Sequence, residues 1–391
     1  MVKIAWLWAL PLLVSTGCAC VECKMHVSEL VPGVPEYILD NGIVTAKCVP
    51  AASGLLSGFE FLPERRQMIE PLGYDPYEDD LLPTRVQVTK TGLRELLQGT
   101  KMTFNTPFSV RDFHGDGEHA ELVMSSRYFQ NEDIEAVKRI SIRRGESMAR
   151  ICFSLTPHDG RKQMPALWLN FIAQLGENRD IVYLPVLGGA NRRDSRGMLE
   201  FTKSGVYADH SLEHQQLYAA PNRSWIARVS PDRPGVLALR TGNDFLKDGY
   251  FLSWKHGVSP LHTMEMILPM RRTEGETFTF NYDCLYFSGL RSIRDIAGPF
   301  GIDLEQNNLI ISTAVPCAAG SLKLHWVNGD GKVSESIEVS LPNLIPGKTV
   351  KVSLNGKISD ASLRLVGELP GGHHFELFDM IVPRDQSKPI L

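Results

Sequence analysis

Alternation of apolar and polar residues with a period of two runs through almost the whole chain, and it restricts the fold more than any other feature. Clear cases are Arg85-Val86-Gln87-Val88-Thr89, Glu121-Leu122-Val123-Met124, Val137-Lys138-Arg139-Ile140-Ser141-Ile142 and Ala149-Arg150-Ile151-Cys152-Phe153-Ser154-Leu155. Successive side chains of a strand point to opposite sides, so such runs read as strands with one face buried. Tyr37-Ile38-Leu39 and Ile43-Val44-Thr45-Ala46 flank Asp40-Asn41-Gly42, a turn signal between two strands. Later runs at 167–172, 236–239, 250–254, 262–268 and 277–282 have the same character. Helical patterning is confined to two short stretches, 93–98 and 292–297. Many strands separated by turns, with almost no helix between them, predict an all-β antiparallel sandwich rather than a parallel sheet.

The number of strands before residue 290 exceeds what an immunoglobulin-size unit holds, and a double layer of large sheets accommodates them better. At 391 residues, two domains are expected. A boundary is read near Gly298-Pro299-Phe300-Gly301, followed by six short strands separated by turns such as Asn328-Gly329-Asp330-Gly331 and Asn355-Gly356. The expected organisation is a large antiparallel sandwich over 30–297 and a small immunoglobulin-like β-sandwich over 302–385.

Residues 1–23 differ from the rest. Lys3 is followed by an apolar run over 4–14 and then by Ser15, Thr16, Gly17 and Cys18, the layout of a secretory signal peptide. The run is too short to span a bilayer comfortably. Two processing routes are open: cleavage after Ala19, or lipidation of Cys18 in the manner of a bacterial lipoprotein, from which Ser15 departs because Leu is usual there. The protein is therefore expected to be exported, to a periplasmic, outer-membrane-anchored or extracellular location, with a lipid on Cys18 as its one possible membrane contact.

Net charge is −4 and no basic stripe is present, so nucleic acid is not an expected partner. Cys18, Cys20 and Cys23 cluster without a downstream ligand pair, and His210 and His214 have i, i+4 spacing without a third ligand, so no metal is expected. No nucleophile elbow, phosphate-binding loop or dinucleotide fingerprint occurs, and no cofactor is expected. Cys48, Cys152 and Cys284 lie in strand-like runs and read as buried thiols.

The order of elements between Glu36 and Gly289 resembles the galactose-mutarotase-like supersandwich, a family that includes aldose epimerases and domains of glycoside hydrolases and polysaccharide lyases. The matching stretches are Leu39-Asp40-Asn41-Gly42-Ile43-Val44 with the small-residue stretch 52–59, the meander over 120–155, and Met264-Glu265-Met266, Gly275-Glu276-Thr277-Phe278 and Phe287-Ser288-Gly289. The resemblance implies a saccharide ligand received on a concave sheet face.

Epimerase chemistry needs a base for a sugar hydroxyl and an acid for the ring oxygen. The resemblance places the base at Glu265, in His262-Thr263-Met264-Glu265-Met266-Ile267-Leu268. Alternation puts Thr263, Glu265 and Ile267 on one face; a carboxylate simply facing solvent is the competing placement. The acid His of that family has no counterpart in Pro165-Ala166-Leu167-Trp168-Leu169-Asn170-Phe171, which speaks against epimerase activity. Trp168 and Asn170 share a strand face there and suit stacking on a pyranose and bonding its hydroxyls. Trp254 and His256 sit at a strand end, where sandwich proteins carry ligand contacts. Arg192, in Asn191-Arg192-Arg193-Asp194-Ser195-Arg196, suits an acidic sugar. The expected catalytic pair is Glu265 and His256, with Trp168, Asn170, Trp254 and Arg192 binding substrate. The leading function is carbohydrate binding or processing. The alternatives are a structural envelope lipoprotein without an active site, and an epimerase-, lyase- or hydrolase-like enzyme using Glu265 as base.

Overall fold

The computed structural model describes residues 22–69, 92–98, 106–172, 180–193, 199–201, 205–209, 215–255, 262–269, 271–272, 275–354 and 364–377. Twenty strands between Lys24 and Ser288 hydrogen-bond into one antiparallel sheet. Pairing starts at the Lys24–Val31 strand and proceeds through Val34–Asp40, Val44–Val49 and Leu55–Phe61 to Gly92–Leu97. It continues through Leu167–Ile172, His262–Leu268, Tyr250–Lys255 and Gln215–Pro221 to the long Ile181–Arg193 strand. The sheet then turns back through Trp225–Val229, Gly235–Thr241, Phe278–Ser288, Met148–Pro157, Ile134–Arg143 and His119–Ser126 to Ser109–Gly115. Its two ends come side by side, with Tyr37 and Phe113 edge to face at 5.1 Å and the Cys23 N–H donating to the Gly117 carbonyl. The sheet thus wraps around one core, to which Leu39, Phe59, Leu122, Phe153, Leu169, Phe171, Met264 and Tyr286 contribute from opposite layers. This is the all-β supersandwich that the sequence predicts.

Asn41 accounts for the first turn. Its Oδ1 accepts from the Ile43 and Val44 N–H groups, and its Nδ2 donates to the carbonyls of Arg143 and Glu146, 102 and 105 residues away. Gly42 supplies the positive φ, 80°, that the turn requires.

Both short helices expected from the sequence are absent. Residues 93–98 fall in the Gly92–Leu97 strand and the turn after it, paired on both sides. Leu93, Leu96 and Leu97 mimic a helical stripe, but a helix of under two turns has little stability of its own, and pairing with two neighbouring strands prevails. At Gly92 a Cβ would lie 2.6 Å from the Leu56 carbonyl oxygen and from Leu55, so only glycine allows this close approach. Residues 292–297 instead lead into the Asp295–Ala297 strand, which pairs with Phe300–Glu305. Gly298 and Pro299 are the turn of that hairpin.

Described strands between Asp295 and Leu377 form two further four-stranded antiparallel sheets. Phe300, Ile302, Leu309, Ile311 and Val352 of one pack against Leu322, Leu324, Trp326, Leu365 and Phe375 of the other. A separate apolar cluster, including Trp225, Val236, Leu285, Phe287, Ile296 and Ile310, joins this sandwich to the large sheet. At its edge the Trp225 Nε1–H donates to Asp295 Oδ1 at 3.1 Å. His373 begins a strand and packs on Phe300 at 5.6 Å; burial is the first cause of its lowered pKa. Among the described residues all cysteines are free thiols; Cys48 and Cys284 are buried, and burial pushes Cys48 up to about 12.

One polar cluster lies inside the main core. Lys138 Nζ donates to Glu95 Oε2 at 2.8 Å with both side chains fully buried, and the Tyr282 hydroxyl donates to the other Glu95 oxygen. A buried charge left without its partner is far costlier than the pair is favourable. Lys138→Met alone should lower unfolding free energy by about 3–5 kcal/mol. The double replacement Glu95→Leu/Lys138→Met should recover more than half of that loss, as read by urea denaturation.

Candidate functional site

Three neighbouring strands carry Trp168, Asn170, Glu265 and Trp254, and their register with one another and with the adjoining Gln215–Pro221 strand decides which residues meet. Leu169 and Phe171, Met264 and Met266, Phe251, and Leu217 point into the core from the Leu167–Ile172, His262–Leu268, Tyr250–Lys255 and Gln215–Pro221 strands. The residues between them face the other way. On that second face Arg94, Asn170, Glu265, Leu252 and Tyr218 make one row across five strands. Leu96, Trp168, Ile267 and Tyr250 form the row on one side of it, and Ile172, Thr263, Trp254 and Gln216 the row on the other. Glu265 therefore has Asn170 and Leu252 directly opposite, and Trp168, Tyr250 and Trp254 as diagonal neighbours.

Glu265 is only 2% exposed. The Asn170 Nδ2–H donates to its Oε1 at 2.7 Å. Burial among apolar and aromatic groups disfavours the charged carboxylate and raises its pKa from 4.5 to about 7, and the Asn170 amide and then the Thr263 hydroxyl oppose that rise. Thr263 Oγ1 donates to the Trp254 carbonyl at 3.1 Å. Glu265 Oε2 and the Trp168 Nε1–H are both buried and make no hydrogen bond among the described residues. An acceptor and a donor are thus left open on one face, where buried polar atoms are ordinarily paired.

Tyr250 extends the site. Its hydroxyl pKa is raised, by burial first and then by Tyr218 and Glu265. The Tyr250 and Tyr218 rings lie 6.4 Å apart at 39°. Arg94 is fully buried on the far side of Asn170 from Glu265. The arrangement can give or take a proton near neutral pH, stack on flat apolar surfaces, and bond hydroxyls through an amide and an indole N–H.

The structure brings Trp168, Asn170, Trp254 and Glu265 onto one face, as alternation within each strand requires. Glu265 does not face solvent. Arg192 lies in the Ile181–Arg193 strand opposite Leu217, one position out of step with the Tyr218 row, and its side chain lies outside the described residues. His256, His210 and His214 also lie outside the described residues. Among the described residues no group of three or more His, Cys, Asp or Glu is placed to hold a metal ion.

Three residues of this face escaped the sequence reading. Tyr250 has the same parity as Trp254 in one strand, a signal that was present. Tyr218 lies in a strand, Gln215–Pro221, whose alternation is weak. Arg94 was hidden by the helical reading of its segment.

No protein-family model matches the sequence, and no curated protein matches it significantly. Solved structures share its fold. YeaD of Salmonella typhimurium, a proposed mutarotase, is similar over 68% of this chain and 94% of its own, with 10% identity and a TM-score of 0.52. A galactose mutarotase-like protein from Clostridium acetobutylicum is similar over 68% of this chain and 99% of its own, with 9% identity and a TM-score of 0.51. The large sheet thus has the galactose-mutarotase-like fold, and about a third of this chain has no counterpart in either structure.

The raised pKa of Glu265 has a signature in stability. The folded state holds this proton more tightly than the unfolded chain, so the group's contribution is full below about pH 4.5 and is lost as pH rises to about 7. Relative to Glu265→Gln, the wild-type protein should lose about 3 kcal/mol of stability across that window. Urea unfolding of both proteins at several pH values checks this, and parallel curves would refute the assignment.

Proposed function

We propose that this chain is an exported carbohydrate-binding or carbohydrate-processing protein, with its saccharide site on the sheet face around Glu265. The observation that carries this reading is the Asn170–Glu265 pair. It is a buried carboxyl group with one hydrogen bond, one open oxygen and a near-neutral pKa, beside Trp168, Tyr250 and Trp254. Sugars present apolar ring faces and dense hydroxyls, which aromatic rings and amide or carboxyl groups match respectively. The fold shared with mutarotase-like proteins supports the same class of ligand, although fold alone does not fix function. The apolar run over 4–14 and the small residues before Cys18 support export.

A proton-transfer role for Glu265 is favoured by its pKa of about 7, which suits a general base or acid at neutral pH. Epimerisation would need a second titratable group across the sugar ring, and His256 is the residue to test. In such a reaction Glu265 accepts the anomeric hydroxyl proton while the acid protonates the ring oxygen, and the ring carbon–oxygen bond opens.

A thermal-shift and glycan-array screen with neutral and uronic sugars tests the reading. A ligand should be found, and Trp168→Ala should weaken it by about tenfold. If Glu265→Gln keeps that ligand and no product forms with wild type, the site is a binding site. If wild type converts the ligand and Glu265→Gln does not, the protein is an enzyme. The absence of binding to any sugar would sink the proposal.

A further inference from the structure

We infer, resting on the saccharide reading above, that the site takes the end of a disaccharide or longer saccharide, not a free monosaccharide. The terminal ring lies at Glu265 and the next ring on Tyr250 and Tyr218.

The argument starts from how exposure changes along the face. Glu265 is almost fully buried, Trp168 and Tyr250 are half-buried, and Tyr218 is 38% exposed. The site is therefore closed at the carboxyl end and open toward Tyr218. Tyr218 lies two strand steps from Glu265 in the same row, with Leu252 between them. A pyranose is about as wide as one strand-to-strand step, so the span from Glu265 to Tyr218 accommodates two rings in succession. Tyr250 lies on the strand between the two positions, in the adjoining row.

Tyr218 is also shaped for this role. Its hydroxyl donates to Gln216 Oε1 at 3.2 Å, which ties down the ring's polar tip while its face stays available. With the Tyr250 ring 6.4 Å away and tilted by 39°, the two make a shallow shelf, not a closed box. Gln216 and Trp254, opposite each other in the adjoining row, flank the shelf with an amide and a third ring. One sugar ring at Glu265 does not reach Tyr218, two strands away. A chain of sugar rings meets each of these groups in turn.

Isothermal titration tests this with glucose, galactose, mannose and glucuronate, and with di- and trisaccharides of each. The disaccharide of the preferred sugar should bind about tenfold or more tightly than its monosaccharide. Tyr218→Ala should reduce that preference by about threefold to tenfold and leave the monosaccharide affinity unchanged. Tyr218→Phe should retain the preference, because the ring face and not the hydroxyl makes the contact. Circular dichroism and melting of both variants should match wild type, since Tyr218 is exposed. Equal affinity for monosaccharide and disaccharide, or a preference that survives Tyr218→Ala, overturns the inference and leaves the Glu265 site standing. Failure of every saccharide, whatever its length, removes the Glu265 reading and this inference together.

Discussion

The pairing of the Leu167–Ile172 and His262–Leu268 strands holds the rest in place. Each is hydrogen-bonded on both sides, and each buries its Leu, Phe and Met residues in the core. A slip of one residue in either would carry Leu169, Phe171, Met264 and Met266 out of the core and turn Asn170 and Glu265 into it. The apolar face therefore fixes the register, and the register sets Asn170 opposite Glu265. The 2.7 Å hydrogen bond between them follows from core packing and needs no further device to hold it.

Charge is handled differently on the two faces of this region. On the core side, Glu95 is matched by the Lys138 ammonium and the Tyr282 hydroxyl, so its two oxygens are each engaged. On the other side, Glu265 has an amide on one oxygen and nothing among the described residues on the other. Both carboxyl groups are buried, and desolvation pushes Glu265 toward neutrality. A group left in that state costs stability, and proteins tolerate such costs mainly where a ligand or a reaction makes use of them.

Much of this was legible in the chain. Period-two alternation identified strands such as Ile134–Arg143, Met148–Pro157, Leu167–Ile172 and His262–Leu268 but not the thirteen-residue Ile181–Arg193, and it put Trp168 with Asn170, and Glu265 with Thr263 and Ile267, on common faces. It failed where the local pattern was short or ambiguous. Residues 93–98 have apolar spacing compatible with a helix, and only pairing to two distant strands makes them extended, so Arg94 was lost to the site. The Lys24–Val31 strand was not read from the sequence, because half of its residues are charged or polar and its place at the sheet edge depends on Val34–Asp40 beside it.

By itself the sequence determined the strand class, the antiparallel two-layer character and the facing of side chains within each strand, because these rest on backbone geometry and the alternation of neighbours. Tertiary structure alone decided which strands lie side by side. That choice brings residues 95 positions apart, Asn170 and Glu265, into contact, places Tyr250, Trp254 and Tyr218 around them, and removes the water that would otherwise keep Glu265 ionised. The reason is physical: a strand's periodicity says which way a side chain points, while its electrostatics depend on neighbours that only long-range pairing supplies.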